Sequence, residues 1–167
     1  MNFDFGTFVF LLVLIFLNGV FAMSEIALVV SRKAKLTVWA DEGDTRAERV
    51  MKIQSDPTRA FSTIQVGITS IGILSGIVGE SALAEPITAS LVRFGMQAEY
   101  AHIIGLAVVV VLVTYFSIVL GELVPKRLGQ SCAETVACRV ARPLSVFALL
   151  MAPFVKLLAV STEVLLK

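Results

Sequence analysis

The stretch Thr114-Tyr-Phe-Ser-Ile-Val-Leu-Gly-Glu-Leu-Val-Pro-Lys-Arg127 ends a long uncharged run with a carboxylate, a proline and a basic pair. The uncharged run extends from Ile103 to Gly121, about the length that crosses the hydrocarbon core of a bilayer as a helix. Glu122 therefore lies at, or just inside, the end of a membrane span. An unpaired charge at such a place costs about 3 kcal/mol, so this carboxylate needs an explanation.

Pro125 supplies one explanation for Glu122. Because proline has no N–H, the carbonyl of Gly121, four residues earlier, loses its helical hydrogen-bond donor. A carboxylate and a freed carbonyl then lie side by side, and hard cations such as Mg²⁺ prefer oxygen ligands of this kind. The alternative is that Glu122 pairs with Lys126 four residues later and only marks the membrane surface. The stretch by itself leaves both interpretations open.

The composition is that of an integral membrane protein. Hydrophobic residues make up 57% of the chain, the mean hydropathy is +0.88, and the formal net charge is +1. The lipid bilayer is thus the first partner, and no feature indicates nucleic acid. The sequence also lacks a nucleophile–base pair, a phosphate-binding glycine loop and a metal–histidine motif, so an enzyme is not expected.

We predict an all-α membrane fold with a single domain over residues 1–167. The predicted parts are three transmembrane helices and two sets of shorter helices. The spans cover about 6–30, 60–80 and 101–123, cytoplasmic helices fall within 32–56, and juxtamembrane helices lie within 129–166. Six Lys and Arg residues between positions 31 and 57 place that loop in the cytoplasm, with the N-terminus outside and the C-terminus cytoplasmic.

The C-terminal stretch 143–166 has two interpretations. It is long enough for a fourth crossing, but Pro153 and Lys156 fall near its middle, where they make spanning costly. We therefore predict an amphipathic helix lying along the cytoplasmic interface, and the crossing remains the alternative.

Polar and small residues interrupt the first two spans. In the second span they recur at steps of three and four and so share one helical face: Ser62, Gln65, Thr69, Gly72, Gly76 and Gly79, with Gly67 and Ser70 nearby. The glycines are explained by packing alone, whereas the polar side chains need partners in hydrocarbon. In the first span the interruptions include Asn18, Ser24 and Glu25. For Glu25 we favour a structural role, through a hydrogen bond to the second helix or a pair with a basic residue.

Three motifs together resemble the membrane domain of the CorC/CNNM family, the DUF21-type domain of proteins once called hemolysin-related. They are Phe21-Ala-Met-Ser-Glu-Ile-Ala27, Thr63-Ile-Gln-Val-Gly-Ile-Thr69 and Gly121-Glu-Leu-Val-Pro-Lys126. The resemblance covers nearly the whole chain. It implies three transmembrane helices, a homodimer and Mg²⁺ export, with Na⁺ as a possible coupling ion. Relatives continue into CBS domains that bind adenine nucleotide, so no nucleotide site is expected within residues 1–167.

The resemblance also implies a metal site on named positions. These positions are Ser24 of the first span, Gly67 and Thr69 of the second, and Gly121 with Glu122 of the third. Further pocket candidates are Glu25, Ser62, Gln65, Ser70 and Pro125. One departure concerns the second span, because the family's Mg²⁺-transporting members carry asparagines where this chain has Ile68 or Thr69 and Gly72.

The sequence therefore supports three functions. The first is a transporter that exports Mg²⁺ by alternating access around the site at the cytoplasmic end of the third helix. The second is export of a polyamine such as putrescine or cadaverine, whose ammonium groups need acidic or carbonyl oxygens but no fixed coordination number. The third is a non-transporting anchor that dimerises the cytoplasmic CBS domains, in which case Glu25 and Glu122 pair with Lys33 or Lys126.

Overall fold

The computed structural model describes residues 5–166, and those residues form helices joined by short connections. The helices are α1 (Phe5–Val30), α2 (Lys33–Asp41), α3 (Thr45–Ser55), α4 (Pro57–Arg93), α5 (Ala98–Ile118), a π-helical turn (Val119–Leu123), α6 (Val124–Ser131) and α7 (Ala133–Leu165). The predicted all-α class is confirmed. The first span and the two short helices within 32–56 also begin and end close to where the sequence placed them.

Four helical stretches are long and apolar enough to cross a membrane, so the predicted count of three is not confirmed. They are Phe5–Val30, Pro57–Arg93, Ala98–Ser131 and Ala133–Leu165. The last of these continues through Pro143 and Pro153, because each proline removes a single hydrogen bond and need not end a membrane helix. Only 6% of its apolar window is buried, against 33% in α1, so α7 leaves most of its apolar side chains uncovered.

The described chain divides into two compact units. The first comprises Met1–Val20 and Thr69–Val124, and the second comprises Phe21–Ile68 and Pro125–Lys167. In the first unit, Leu11 and Ile15 of α1 and Val109 and Val113 of α5 form the buried cluster. Gly79 lets α4 approach α5 closely, since a Cβ there would lie 2.5 Å from a methyl group of Val113.

The second unit has a larger apolar core. It is built around Leu36 of α2, Val50 of α3 and Ile64 of α4, all fully buried, with Ala137 and Leu144 of α7 packed against them. Burial of each large aliphatic side chain contributes roughly 1.5–3 kcal/mol. This core explains why the two short helices are ordered although neither is long enough to be stable alone.

Ion pairs and a helix cap lie at the edges of the apolar core of the second unit. The buried carboxylate of Glu134, in the first turn of α7, lies 3.3 Å from Arg32 Nε and 3.2 Å from Lys35 Nζ. Asp44 caps α3 by accepting the backbone N–H of Arg46 at 2.9 Å. Hydrogen bonds from the Arg46 side chain and then its backbone lower the pKa of Asp44, so the cap is ionised at neutral pH.

Candidate functional site

The π-helical turn is where the first unit departs from regular helix. The backbone N–H of Val124 donates to the carbonyl of Val119, five residues back, so the turn is one residue wider than an α-helical turn. The widened turn comes immediately before Pro125, whose missing N–H would leave a gap in a regular ladder. The helix therefore continues into α6, whereas the predicted third span ended at about residue 123.

The carbonyl of Gly121 takes a side-chain donor. Asn18 Nδ2 donates to it at 3.1 Å, and both residues are buried. Gly121 lies close to α1, since a Cβ there would lie 3.1 Å from the carbonyl oxygen of Ile15 and 3.3 Å from Asn18 Nδ2. A carbonyl oxygen has two lone pairs, so the bond from Asn18 leaves one for a second donor or a cation.

Three side-chain oxygen atoms of the first unit are buried without a hydrogen-bond partner among the described residues. They are Oδ1 of Asn18, in a residue only 8% exposed, Oγ1 of Thr88 in α4, and Oγ of Ser117 at the end of α5. A buried acceptor without a partner costs about 1–3 kcal/mol, which native proteins rarely accept without a reason. Such an atom in a membrane span is a candidate contact for a ligand.

Glu122 is next to Gly121 in the π-helical turn and its side chain is half-buried. The first unit therefore gathers one carboxylate residue, one freed carbonyl and an unpartnered amide oxygen on α1. Within residues 5–166 no three His, Cys, Asp or Glu side chains come together to hold a metal ion. The oxygen atoms that could bind a ligand at this turn are thus mostly uncharged.

Asn18 is the residue that the sequence reasoning did not assign to the site. It was noticed as a polar interruption of the first span, but the family motifs drew attention to Ser24 and Glu25. The signal was present, since an amide in an apolar helix of 26 residues needs a partner. Which partner it takes could not be read from the sequence.

In the second unit, the predicted site residues are engaged in packing or in an ion pair within the fold. Glu25 Oε2 lies 3.2 Å from Lys126 Nζ, and both side chains are about two-thirds buried. Gly67 is buried beside the ring of Phe21, which a Cβ would meet at 2.8 Å. Ser24 is buried at 3% exposure, and Pro125 is half-buried in α6.

The polar face of α4 is largely uncovered. Gln65, Thr69 and Ser70 are exposed and Ser62 is half-buried. A Cβ at Gly72 or Gly76 would meet no atom within 4 Å, so these two glycines make no close approach to another helix among residues 5–166. Of the predicted second-span residues, only Gly67 and Gly79 act as close-packing glycines here.

Comparison with known proteins bears on the whole chain. Residues 9–167 match the model of the cyclin M transmembrane N-terminal domain, abbreviated CNNM. The UPF0053 protein sll0260 of Synechocystis is 42% identical over 158 residues, which is 95% of this chain and 35% of that protein. The UPF0053 protein YhdT of Bacillus subtilis is 32% identical over 162 residues, which is 97% of this chain and 35% of that protein.

A third relative carries a functional name. The polyamine export protein of Escherichia coli K12 is 37% identical over 134 residues, which is 80% of this chain and 30% of that protein. This chain thus spans about a third of the length of these relatives. The family resemblance drawn from the sequence motifs is confirmed, and the chain belongs to the family of the cyclin M transmembrane N-terminal domain.

Proposed function

We propose that this chain is the cation-translocating membrane domain of an exporter. The cation is held at the π-helical turn by the carboxylate of Glu122, the carbonyl of Gly121 and the amide oxygen of Asn18. The observation that carries the proposal is Asn18: its nitrogen holds the freed carbonyl at 3.1 Å, while its own oxygen is buried without a partner. A bound cation would satisfy that oxygen.

The oxygen atoms that face a ligand at this turn suit an organic cation. An ammonium group has three N–H donors and takes neutral acceptors such as an amide oxygen, a carbonyl and a hydroxyl. One carboxylate then balances its charge. The relatives named polyamine export protein support the same substrate class, and a diamine such as putrescine is therefore our first candidate.

Mg²⁺ export is the second candidate, and Na⁺ coupling belongs to it. All the donors at the turn are oxygens, as Mg²⁺ requires, and a Mg²⁺ ion that retains several waters would need few protein ligands. One observation counts against Mg²⁺. By the family resemblance, members that transport Mg²⁺ carry asparagines at these positions, whereas Ile68 and Gly72 offer no side-chain oxygen. The cytoplasmic position of the turn, and of the loop at 31–57, also forms part of the proposal.

The test is flux through proteoliposomes containing the chain, with putrescine and Mg²⁺ offered separately. We expect putrescine flux, and we expect Glu122→Gln to lower it at least about tenfold because the charge that balances the cation is lost, at roughly 1.4 kcal/mol per decade. The control variant is Glu99→Gln, which removes an exposed carboxylate from the first turn of α5.

Each outcome has a definite meaning. Unchanged flux in Glu122→Gln would remove Glu122 from the site. Mg²⁺ flux without putrescine flux would replace the first candidate by the second. Flux of neither cation in well-folded protein would leave the anchor function, in which the charged and glycine contacts only hold the helices together.

A further inference from the structure

A groove in the second unit is basic along one edge and apolar along the other. It has a volume of about 430 Å³ and lies among the end of α3, the first turn of α4 and the middle of α7. The basic edge carries Arg49, Lys52 and Arg59. The apolar wall is formed mainly by α7. Its members include Leu144, Ala148 and Leu149.

The basic edge has an excess of positive charge. Arg49, Lys52 and Arg59 form no ion pair with the described residues. The one carboxylate that lines the groove, Asp56, is used in capping α4, since its Oδ1 accepts the backbone N–H of Arg59 at 3.3 Å. The groove therefore attracts an anion.

The apolar wall of the groove fits an anion that carries a hydrocarbon part. Leu149 is 72% exposed and Leu144 is buried, so the wall runs from the core of the unit out to an uncovered surface. Arg59 is the third residue of α4, and the apolar part of that helix follows it. The groove thus lies at a boundary between polar and apolar parts of the chain. A lipid has the same boundary between its headgroup and its acyl chains.

We propose that this groove binds an anionic phospholipid. The phosphate lies against the three basic side chains, and the upper acyl chain lies against Leu144, Ala148 and Leu149. Basic pockets beside membrane helices recognise anionic headgroups in this way. Free phosphate would satisfy the basic edge but leave the apolar wall uncovered. The inference depends on the chain lying in a bilayer and not on cation transport.

Native mass spectrometry of the detergent-solubilised chain, titrated with phosphatidylglycerol or phosphatidylcholine, tests this site. We expect one phosphatidylglycerol to be retained per chain and phosphatidylcholine to be lost. The triple variant Arg49→Gln, Lys52→Gln, Arg59→Gln should lower the affinity on the order of 100-fold, about fivefold for each basic side chain. The matched control removes three exposed charges of α7 outside the groove, in Arg139→Gln, Arg142→Gln, Lys156→Gln.

A second variant guards against misfolding and separates lipid from phosphate. Leu149→Gln changes an exposed side chain and adds no charge, so the fold and the basic edge should be preserved while phosphatidylglycerol retention weakens. Equal loss in the triple variant and the control would show general surface attraction and overturn the site. Equal retention of phosphatidylcholine, or displacement of phosphatidylglycerol by inorganic phosphate, would overturn the assignment to an anionic lipid.

Discussion

Helix α1 is held to the chain around Pro125 at two places, one in each unit, and the two contacts differ in kind. In the first unit the contact is neutral: Gly121 approaches the carbonyl of Ile15, and Asn18 donates to Gly121. In the second unit it is tight and charged. Gly129 meets the carbonyl of Met23, where a Cβ would lie at 2.8 Å, and Lys126 pairs with Glu25 at 3.2 Å.

The two contacts differ in whether their polar groups are satisfied within the described chain. Glu25 is an acidic residue in a membrane helix, yet its carboxylate has a basic partner within the same unit, so it serves as a tie. Asn18 is neutral, yet it keeps a buried oxygen that no group of the described chain satisfies. On our proposal, Asn18 Oδ1 binds the cation, whereas Glu25 holds α1 to α6 through Lys126.

The largest effect on stability is expected from Gly129→Ala. The new Cβ would lie 2.7 Å from a methyl of Ile26 and 2.8 Å from the backbone carbonyl of Met23, and backbone cannot move aside cheaply. Overpacking of this kind costs about 2–3 kcal/mol. The measurement is the denaturation midpoint in detergent. Gly76→Ala is the control, because its Cβ meets nothing within 4 Å. Equal midpoints for the two variants would contradict the close contact.

Asn18→Leu should separate the neutral contact from the charged one. We expect cation flux to fall about tenfold, equivalent to roughly 1.4 kcal/mol, because a cation ligand is lost. The loss of stability should be only about 1 kcal/mol, the net value of one hydrogen bond. Glu25→Gln is the matched comparison and should leave flux within about twofold of the original. If Glu25→Gln impairs flux more than Asn18→Leu does, then Glu25 and not Asn18 belongs to the cation site.

The smallest effect concerns the Glu25–Lys126 pair itself. A double-mutant cycle with Glu25→Gln and Lys126→Gln should give a coupling energy of about 0.5 kcal/mol, since both side chains keep some contact with solvent. The coupling should shrink when the salt concentration is raised to about 1 M, because screening acts on partly exposed charges. A coupling energy of zero at low salt would mean that the ion pair does not stabilise the contact between α1 and α6.

Local features of the fold were readable from the sequence. The bounds of α1, the two short helices and the loss of the helical donor to Gly121 follow from hydropathy, turn residues and the chemistry of proline. Tertiary choices were not readable. Lys33 and Lys126 were equally available to Glu25, and the packing of α1 decides for Lys126. A helix over 143–166 was predicted, but its continuity with the preceding segment through Pro143 was not, because proline costs a helix less where apolar surroundings favour closed backbone hydrogen bonds.

The most direct test of the cation site is the side-chain amide signal of Asn18. The chain has only two asparagines, Asn2 and Asn18, so ¹⁵N-asparagine labelling gives two side-chain NH₂ signals, and Asn18→Leu assigns them. Titration with putrescine, and separately with Mg²⁺, should shift the Asn18 signal saturably, because a cation at Oδ1 polarises the amide. The shift should vanish in Glu122→Gln. An Asn18 signal that stays unchanged at cation concentrations that support flux would contradict the account.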